Sequence, residues 1–400
     1  MKKKLLFVIN TLSQAGAETA LLGFLRRLDS QKYEIYLFVL TEQGELIKKL
    51  PGNVRLLNPT FSERSVLTRK GRRVLTKTVL KSFVRNGGLV YKLFYTARNF
   101  VDMLRKRRIQ ADKLFWRVIS DGAERFDMSF DLAVAWIEGG AAYYVADHVK
   151  ARKKIAFIHT DYESAGYTRA MDQGCFINYG NIFAVSAETK DHFLKVYPEY
   201  AAKLAVQHNM LDQEFIRRRA REPGGFADGY QGVRILSVGR LTWQKGYDIA
   251  IEAMEILKKR ELDIRWYVLG EGDQKKTLKE KIQEMELEED FLLLGQIDNP
   301  YPYYVQSDLY VHPARYEGKS IAIQEAQTLG CAVIASDSNG NREQIEDGKD
   351  GLLCELTSQA VAECIEMLYM NEEKRKQLGE EAKRKEILHE QEQLFQKLLV

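Results

Sequence analysis

The sequence predicts an α/β protein made of two successive doubly wound units, each a parallel sheet with helices on both faces. Three observations predict it. Four hundred residues exceed what one hydrophobic core usually supports, so two domains of roughly 200 residues are expected. Short continuous apolar runs alternate with helical stretches in both halves, as strands buried on both faces require. The alternation lapses over 210–232 and restarts at Val233, which makes that stretch a crossover between units.

In order, the first half reads as strand 5–10, a small-residue loop at 13–17, a helix near 18–29 and strand 34–40. Further strands are expected at 132–136, 154–158 and 181–185. The second half opens with strand 233–238, a Gly-rich turn and helix 246–259. Strands follow at 265–269, 291–294, 309–312, 332–335 and 351–353. A charged helix over 371–399, with Leu378, Ile387, Leu394 and Leu398 as a sparse apolar stripe, is expected to pack back on the first domain. The expected domains are 1–210 with a basic helical insertion at about 61–110, 211–372, and a C-terminal helix 373–400.

A net charge of +4 hides a division. Residues 1–210 carry 34 Lys/Arg against 20 Asp/Glu, and residues 211–400 carry 26 against 36. The first half therefore faces something anionic, or the two surfaces are simply solvated differently. Cys175, Cys331, Cys354 and Cys364 show no C-x-x-C spacing, which fits a reducing, cytoplasmic compartment. The start, Met1-Lys2-Lys3-Lys4-Leu5, imitates a secretory signal, and Ala15-Gly16-Ala17 imitates its cleavage site. The apolar run ends at Asn10, too soon for a signal core, and reads as a first buried strand. No segment reaches the roughly 18 apolar residues of a membrane span.

The residues with most chemical content are two carboxylates eight positions apart, Glu317 and Glu325, after strand 309–312 and at the opening of a helix. The first sits at a strand-to-helix turn where free N–H groups hold anions. The second is expected about two turns inside the helix. Such a pair can grip two hydroxyl-rich pieces of one ligand with a negative group between them, the layout of a nucleotide sugar. Arg240 and Lys245, in Gly239-Arg240-Leu241-Thr242-Trp243-Gln244-Lys245-Gly246 after strand 233–238, are cations suited to a diphosphate. Alone, they read equally as solvated loop cations.

Together these motifs resemble the donor domain of retaining GT-B glycosyltransferases, most closely glycosyltransferase family 4 (group 1). Gly-Arg-Leu-x-x-x-Lys-Gly is followed about seventy residues later by Glu317-Gly318 and then Glu325. Gly270-Glu271-Gly272, Ser307-Asp308, Glu325-Ala326 with Gly330, and Gly340-Asn341-Arg342-Glu343 also fit, so the resemblance is strong over 230–370 and looser before it. It implies a GT-B fold, two Rossmann-like domains facing each other across a cleft. It also implies roles: Arg240 and Lys245 neutralise the donor diphosphate, Glu317 contacts sugar hydroxyls, Glu325 binds ribose, and N–H groups around Gly318, Lys319, Ser320 and Ile321 approach sugar or phosphate. Lys319 departs from the more frequent aromatic or small residue, and is either a ligand contact or a solvated side chain.

In the first half, Ser13-Gln14-Ala15-Gly16-Ala17-Glu18 stands where the family has Gly-Gly-x-Glu. Ala15 replaces the first glycine, while Gly16 still admits close approach of a diphosphate. His159, after strand 154–158, matches the active-site histidine near the transferred sugar. His148, His192 and His389 read as surface helix positions, His208 as a neighbour of the crossover, and His312 as a hydrogen-bonded core residue. The resemblance implies retention of anomeric configuration. No carboxylate nucleophile is evident, so the leaving phosphate is expected to accept the acceptor's proton, unlike the carboxylate pair of glycosidases. The absence of Asp-x-Asp and of any His/Cys cluster predicts no metal and no cofactor beyond the nucleotide-sugar substrate.

The overall expectation is transfer of a hexosyl or N-acetylhexosaminyl group from a nucleotide-diphosphate sugar, UDP favoured over GDP, to a glycan or lipid-linked saccharide in cell-surface polysaccharide synthesis. The basic segment 61–110 carries 14 Lys/Arg, two Asp/Glu and interleaved apolar residues. It reads as contact with an anionic membrane surface, peripheral at the inner face of the cell membrane, with a solvated insertion as the alternative. No nucleic-acid module accompanies the charge. Competing functions are a GT-B-fold sugar-nucleotide epimerase or hydrolase and a non-catalytic nucleotide-sugar-binding protein. An NAD-dependent oxidoreductase is less well supported: Gly270-x-Gly272 lacks its third glycine, because Lys275 stands there.

Overall fold

The computed structural model describes residues 2–66, 68–105, 110–162, 165–209, 211–316 and 319–385. The chain divides into two compact units at Met210 and Leu211. In the first, the strands are β1 (Lys3–Ile9), β2 (Tyr33–Val39), β3 (Val54–Leu56), β4 (Ser129–Ala135), β5 (Lys150–Ile158), β6 (Asn181–Ala184) and β7 (Leu204–Val206). Around them lie α1 (Gly16–Arg27), α2 (Arg69–Val84), α3 (Leu89–Arg105), α4 (Ala111–Gly122), α5 (Gly140–His148), α6 (Arg169–Asp172) and α7 (Ala187–Val196). The sheet order is β3-β2-β1-β4-β5-β6-β7, and its ladders are parallel.

The second unit carries α8 (Gln213–Arg219), β8 (Val233–Val238), α9 (Tyr247–Lys259), β9 (Ile264–Leu269), α10 (Lys275–Glu284), β10 (Phe291–Gly295) and α11 (Tyr301–Gln306). There follow β11 (Leu309–His312), α12 (Ile321–Leu329), β12 (Ala332–Ser336), α13 (Asn339–Arg342), β13 (Leu352–Cys354), α14 (Ser358–Met370) and α15 (Glu372–Arg384). Its parallel sheet runs β10-β9-β8-β11-β12-β13. In each unit the chain starts at a central strand, winds outward one way, then returns to wind the other way. That reversal puts a switch point between β1 and β4 and another between β8 and β11, the places where open α/β sheets bind ligands.

Local chemistry explains the elements. The last five residues of β1 and of β2 are buried, so continuous apolar runs satisfy both faces. In α9, Tyr247, Ala250, Ile251, Met254 and Leu257 recur at helical spacing, and the helix packs against β9, α10 and α14. Side-chain caps accept from the first turns of α2 (Thr68), α7 (Ser186), α14 (Thr357) and α15 (Asn371).

The first unit is further tied by a buried polar knot. Asp172 accepts from the hydroxyls of Tyr143, Tyr162 and Tyr197 at 2.8, 2.7 and 2.6 Å. Arg117 stacks on the Tyr143 ring, donates to the Asp172 carbonyl at 2.7 Å and pairs with Asp147. Burial raises the Asp172 carboxyl from its ordinary range, against the pull of the three hydroxyls.

Several expectations shift. Helix α1 begins at Gly16, so this glycine is the first helical residue rather than part of the preceding loop. Helix α12 begins only at Ile321, because Ser320 is extended (φ −71°, ψ 120°); Glu325 therefore stands about one turn into the helix, not two. His148 and His192 are half-buried beside Asp121 and Asp161, at 3.0 and 2.8 Å, rather than on the open surface. Helix α15 packs on α12, β12 and α14 of the second unit. The rest of the expected C-terminal helix, with Ile387, Leu394 and Leu398, lies outside the described residues.

Candidate functional site

At the switch point of the second unit, β8 delivers the turn with Arg240 and Lys245, and β11 delivers the loop leading to α12. Arg240 is exposed, and Lys245 is half-buried with its side chain lying over Gly239. Two glycines let neighbouring turns interlock. A Cβ at Gly270 would meet the Gly239 carbonyl oxygen at 1.9 Å, and one at Gly272 would meet that of Leu241 at 2.1 Å. Gly246, at φ +66°, passes equally close to the Pro313 carbonyl oxygen, at 1.9 Å from an added Cβ. The Gly270-x-Gly272 turn thus has a packing reason independent of any dinucleotide. Lys275, in place of a third glycine, instead pairs with Glu271 at 2.5 Å.

The two loops are locked together by Arg315, which the sequence reading left without a role. Its guanidinium donates to both carboxylate oxygens of Asp248, at 2.8 and 2.6 Å, and to the Trp243 carbonyl at 2.6 Å, while lying 4.5 Å over the Trp243 ring. Its backbone N–H donates to Gln244 O at 2.8 Å, and Gln244 Nε2 donates to Tyr316 O at 2.9 Å. The hydrogen bonds that Arg315 donates to Asp248 raise the Arg315 pKa. Burial pushes the Asp248 carboxyl up, and Arg315 outweighs it, so the carboxyl ends below its ordinary value. The signal in the sequence was an Arg directly before Tyr316-Glu317.

Glu325 is buried, and its two oxygens accept from Tyr301 and Tyr304 at 3.1 and 3.2 Å, so two tyrosines of α11 orient the carboxylate. Ser320 stands at the N-cap of α12 yet makes no side-chain cap bond, and Ile321 opens the helix behind it. Lys319 is half-buried, not a solvated side chain. Burial lowers its pKa to about 8, partly countered by Glu343, with Lys385 adding to the lowering. Glu317 and Gly318 lie outside the described residues. His312 is the expected core residue, buried with Nδ1 3.2 Å from the Tyr310 hydroxyl.

In the first unit, the switch point gathers Asn10 after β1, Glu138 after β4 and His159 after β5. Glu138 was not anticipated, although a carboxylate followed by two glycines after a strand was a readable signal. Its buried carboxylate accepts the His159 N–H at 2.8 Å and the Thr160 hydroxyl at 2.9 Å. Asn10 donates to the Glu138 carbonyl at 3.0 Å and accepts from the Ala141 N–H at 2.7 Å. The His159 ring lies against Trp136 and Phe157, and its enclosed Nε2 has no hydrogen-bond partner among the described residues. Burial lowers its pKa to about 4, against the opposing influence of Glu138. Gly16 is exposed at the start of α1, whose N-cap Ala15 offers no side-chain cap, and Trp136 Nε1 anchors the turn by donating to Ala17 O at 2.8 Å. Glu18 is buried, accepting from Thr11 at 2.9 Å.

Residues 229–385 match the family described as glycosyl transferases group 1. A Campylobacter jejuni N-acetylgalactosamine-N,N'-diacetylbacillosaminyl-diphospho-undecaprenol 4-alpha-N-acetylgalactosaminyltransferase is 35% identical over 158 residues, 39% of this chain and 41% of that protein. The amylovoran biosynthesis glycosyltransferase AmsK of Erwinia amylovora is 34% identical over 152 residues, 36% of this chain and 37% of its own. The matches thus span about two fifths of the length of these relatives. Anabaena HepE, in complex with UDP and glucose, aligns over 99% of both chains with a TM-score of 0.66 at 16% identity, a likeness of fold. A mutant of S. aureus TarM, in complex with Fondaparinux, alpha-GlcNAc-glycerol and UDP, aligns over 99% of both chains with a TM-score of 0.66 at 13% identity. The two parallel sheets and these neighbours make the fold GT-B.

Two predictions follow from this geometry. His159 has a folded pKa of about 4, below its ordinary 6.5, so the unfolded chain binds the proton first. The resulting contribution to stability is complete above pH 6.5 and is lost as pH falls toward 4, by up to about 3 kcal/mol. Urea unfolding from pH 7 to 5 should show a steeper loss in the wild type than in His159→Gln; equal slopes would refute the enclosed neutral imidazole. For the loop lock, Arg315→Lys loses the paired bonds to Asp248 and should cost about 1–3 kcal/mol, nearly as much as Arg315→Ala. A lysine variant as stable as the wild type would show that charge alone suffices.

Proposed function

We propose that this chain, whose residues 229–385 match the glycosyl transferases group 1 family and whose fold is GT-B, is a retaining, metal-independent glycosyltransferase. It moves a hexosyl or N-acetylhexosaminyl group from a UDP-sugar to a glycan or lipid-linked saccharide in cell-surface polysaccharide synthesis. One observation carries the reading: Arg240 and Lys245 leave β8 at the same switch point where β11 leads to Glu325, and Arg315–Asp248 ties the two loops. UDP is favoured because HepE and TarM bind it in the same fold. The acceptor class follows the Campylobacter relative, whose name specifies a diphospho-undecaprenol, and the Erwinia relative, which acts in amylovoran biosynthesis. Four cysteines without a disulfide fit action in the reducing cytoplasm.

In the proposed reaction, the bond between the anomeric carbon and the β-phosphate oxygen breaks as the acceptor oxygen bonds to the same face. The acceptor's proton passes to the departing phosphate oxygen. Arg240 and Lys245 stabilise the charge that grows on the diphosphate, an electrostatic task requiring no metal. The N–H groups at Ser320 and Ile321, with Lys319, hold the anion and sugar at the start of α12. Glu325, oriented by its two tyrosines, takes the ribose hydroxyls. Glu317 contacts the transferred sugar.

Glu317→Gln should lower kcat strongly while UDP affinity, read by calorimetry, stays within about twofold. Arg240→Ala or Lys245→Ala should weaken UDP binding about tenfold to a hundredfold. Equal loss of turnover and UDP binding in Glu317→Gln would remove it from the sugar end. No thermal shift with UDP, GDP or ADP would remove the donor-site reading altogether.

Transfer should proceed unchanged in EDTA. Activity abolished by chelation and restored by manganese would show that the two cations do not suffice.

A further inference from the structure

Helices α2 and α3 form a hairpin whose polarity is reversed. The inward side of α3 holds polar groups: Lys92, 2% exposed, donates from Nζ to the Ser82 and Arg85 carbonyls at 2.7 Å each, at the C-terminal end of α2. Tyr95 donates to the Met171 carbonyl at 3.2 Å, and buried Asn99 donates to the Tyr95 carbonyl at 2.9 Å. The Lys92 and Tyr95 bonds, with Met103 packed among Leu114 and Met171, fix the rotation of the helix, and the side left outward is mostly apolar. Val90, Leu93, Phe94, Phe100, Val101 and Leu104 are all exposed, Val90 at 81% and Phe94 at 65%. Such a face in water costs free energy unless something covers it.

The surrounding charge identifies the cover. On α2, Arg73, Lys77 and Lys81 are exposed at helical spacing beside the exposed Leu80 and Val84, and α3 adds exposed Arg98 and Arg105. The acidic residues between positions 61 and 105 are Glu63 and Asp102 alone. A second copy of the same face would set these cations against their own kind. An anionic bilayer takes the apolar side chains among its acyl chains and the cations among its headgroups. No helix of the described residues is long and apolar enough to cross a membrane, so the contact is interfacial. We propose that the outward face of the α2–α3 hairpin docks this protein on the surface of an anionic lipid bilayer. The inference stands apart from the sugar chemistry.

Flotation of the full chain, without nucleotide, with phosphatidylcholine vesicles containing or lacking phosphatidylglycerol tests it. Binding should need the anionic lipid and fall with added salt. Leu93→Ser/Phe94→Ser should weaken partitioning about tenfold or more. Arg73→Glu/Lys77→Glu should weaken it at least as much. These surface variants should retain the wild-type Tm. Absence of binding to anionic vesicles would overturn the proposal, as would flotation indifferent to both double variants. A concentration-dependent dimer in light scattering, lost in Leu93→Ser/Phe94→Ser and accompanied by no vesicle binding, would assign the face to a second copy instead.

Discussion

The candidate donor site depends on one interaction, the paired hydrogen bonds between Arg315 and Asp248. Arg240 and Lys245 are side chains of a turn after β8, whereas Glu325 is held by a helix after β11. Sheet pairing fixes the strands but not the loops beyond their ends. Arg315 supplies that missing constraint: it joins the first turn of α9 to the β11–α12 loop and closes over Trp243 between them. The close passage of Gly246 beneath Pro313 is the backbone counterpart of the same junction. A lysine has one point of charge where this geometry needs a planar fork.

Both switch points also hold a buried carboxylate kept in place by donors. Glu138 is held by the His159 N–H and the Thr160 hydroxyl, and Glu325 by Tyr301 and Tyr304. A buried carboxylate without such donors would be costly, so each is bonded on both oxygens. The roles differ. Glu138 fixes the turn that carries an imidazole, whereas Glu325 stands within the helix that begins at the loop itself. Keeping His159 enclosed between aromatic rings favours its neutral form.

The legible parts of the sequence were those in which local pattern and tertiary demand coincide. Strands β8 and β11 fall at their expected bounds, because a central strand is mostly apolar and a turn follows it. Edge strands β3 and β7, three residues each, leave too short a pattern to read. The start of α12 was misplaced because the residues before it are small and polar, compatible with either a helix or an extended approach. The Glu317–Glu325 spacing and the Arg240–Lys245 turn were visible as sequence; Arg315–Asp248, 67 positions apart, was not, since neither residue looks unusual alone. The basic segment likewise displayed its composition but not its orientation. A lysine in a helix is ordinarily read as facing water, and Lys92 faces the end of the preceding helix instead.

Net charge is a poor guide to where an anion binds. Residues 211–400 carry ten more acidic than basic side chains, yet they contain the proposed diphosphate site. Pairs such as Glu271 with Lys275, Asp248 with Arg315 and Glu252 with Lys281 remove acids and bases alike, so the excess of ten acids stands outside them. Exposed charges farther away than about 10 Å are screened by salt. The groups at the carboxyl ends of β8 and β11 act locally: Arg240, Lys245, and the first N–H groups of a helix whose N-cap serine makes no cap bond. The first half differs because its cations are gathered on a hairpin with hardly an acid between them, where screening acts on the whole surface but pairing does not cancel it. Opposite charges set side by side cancel locally, and charge that is segregated acts as a surface.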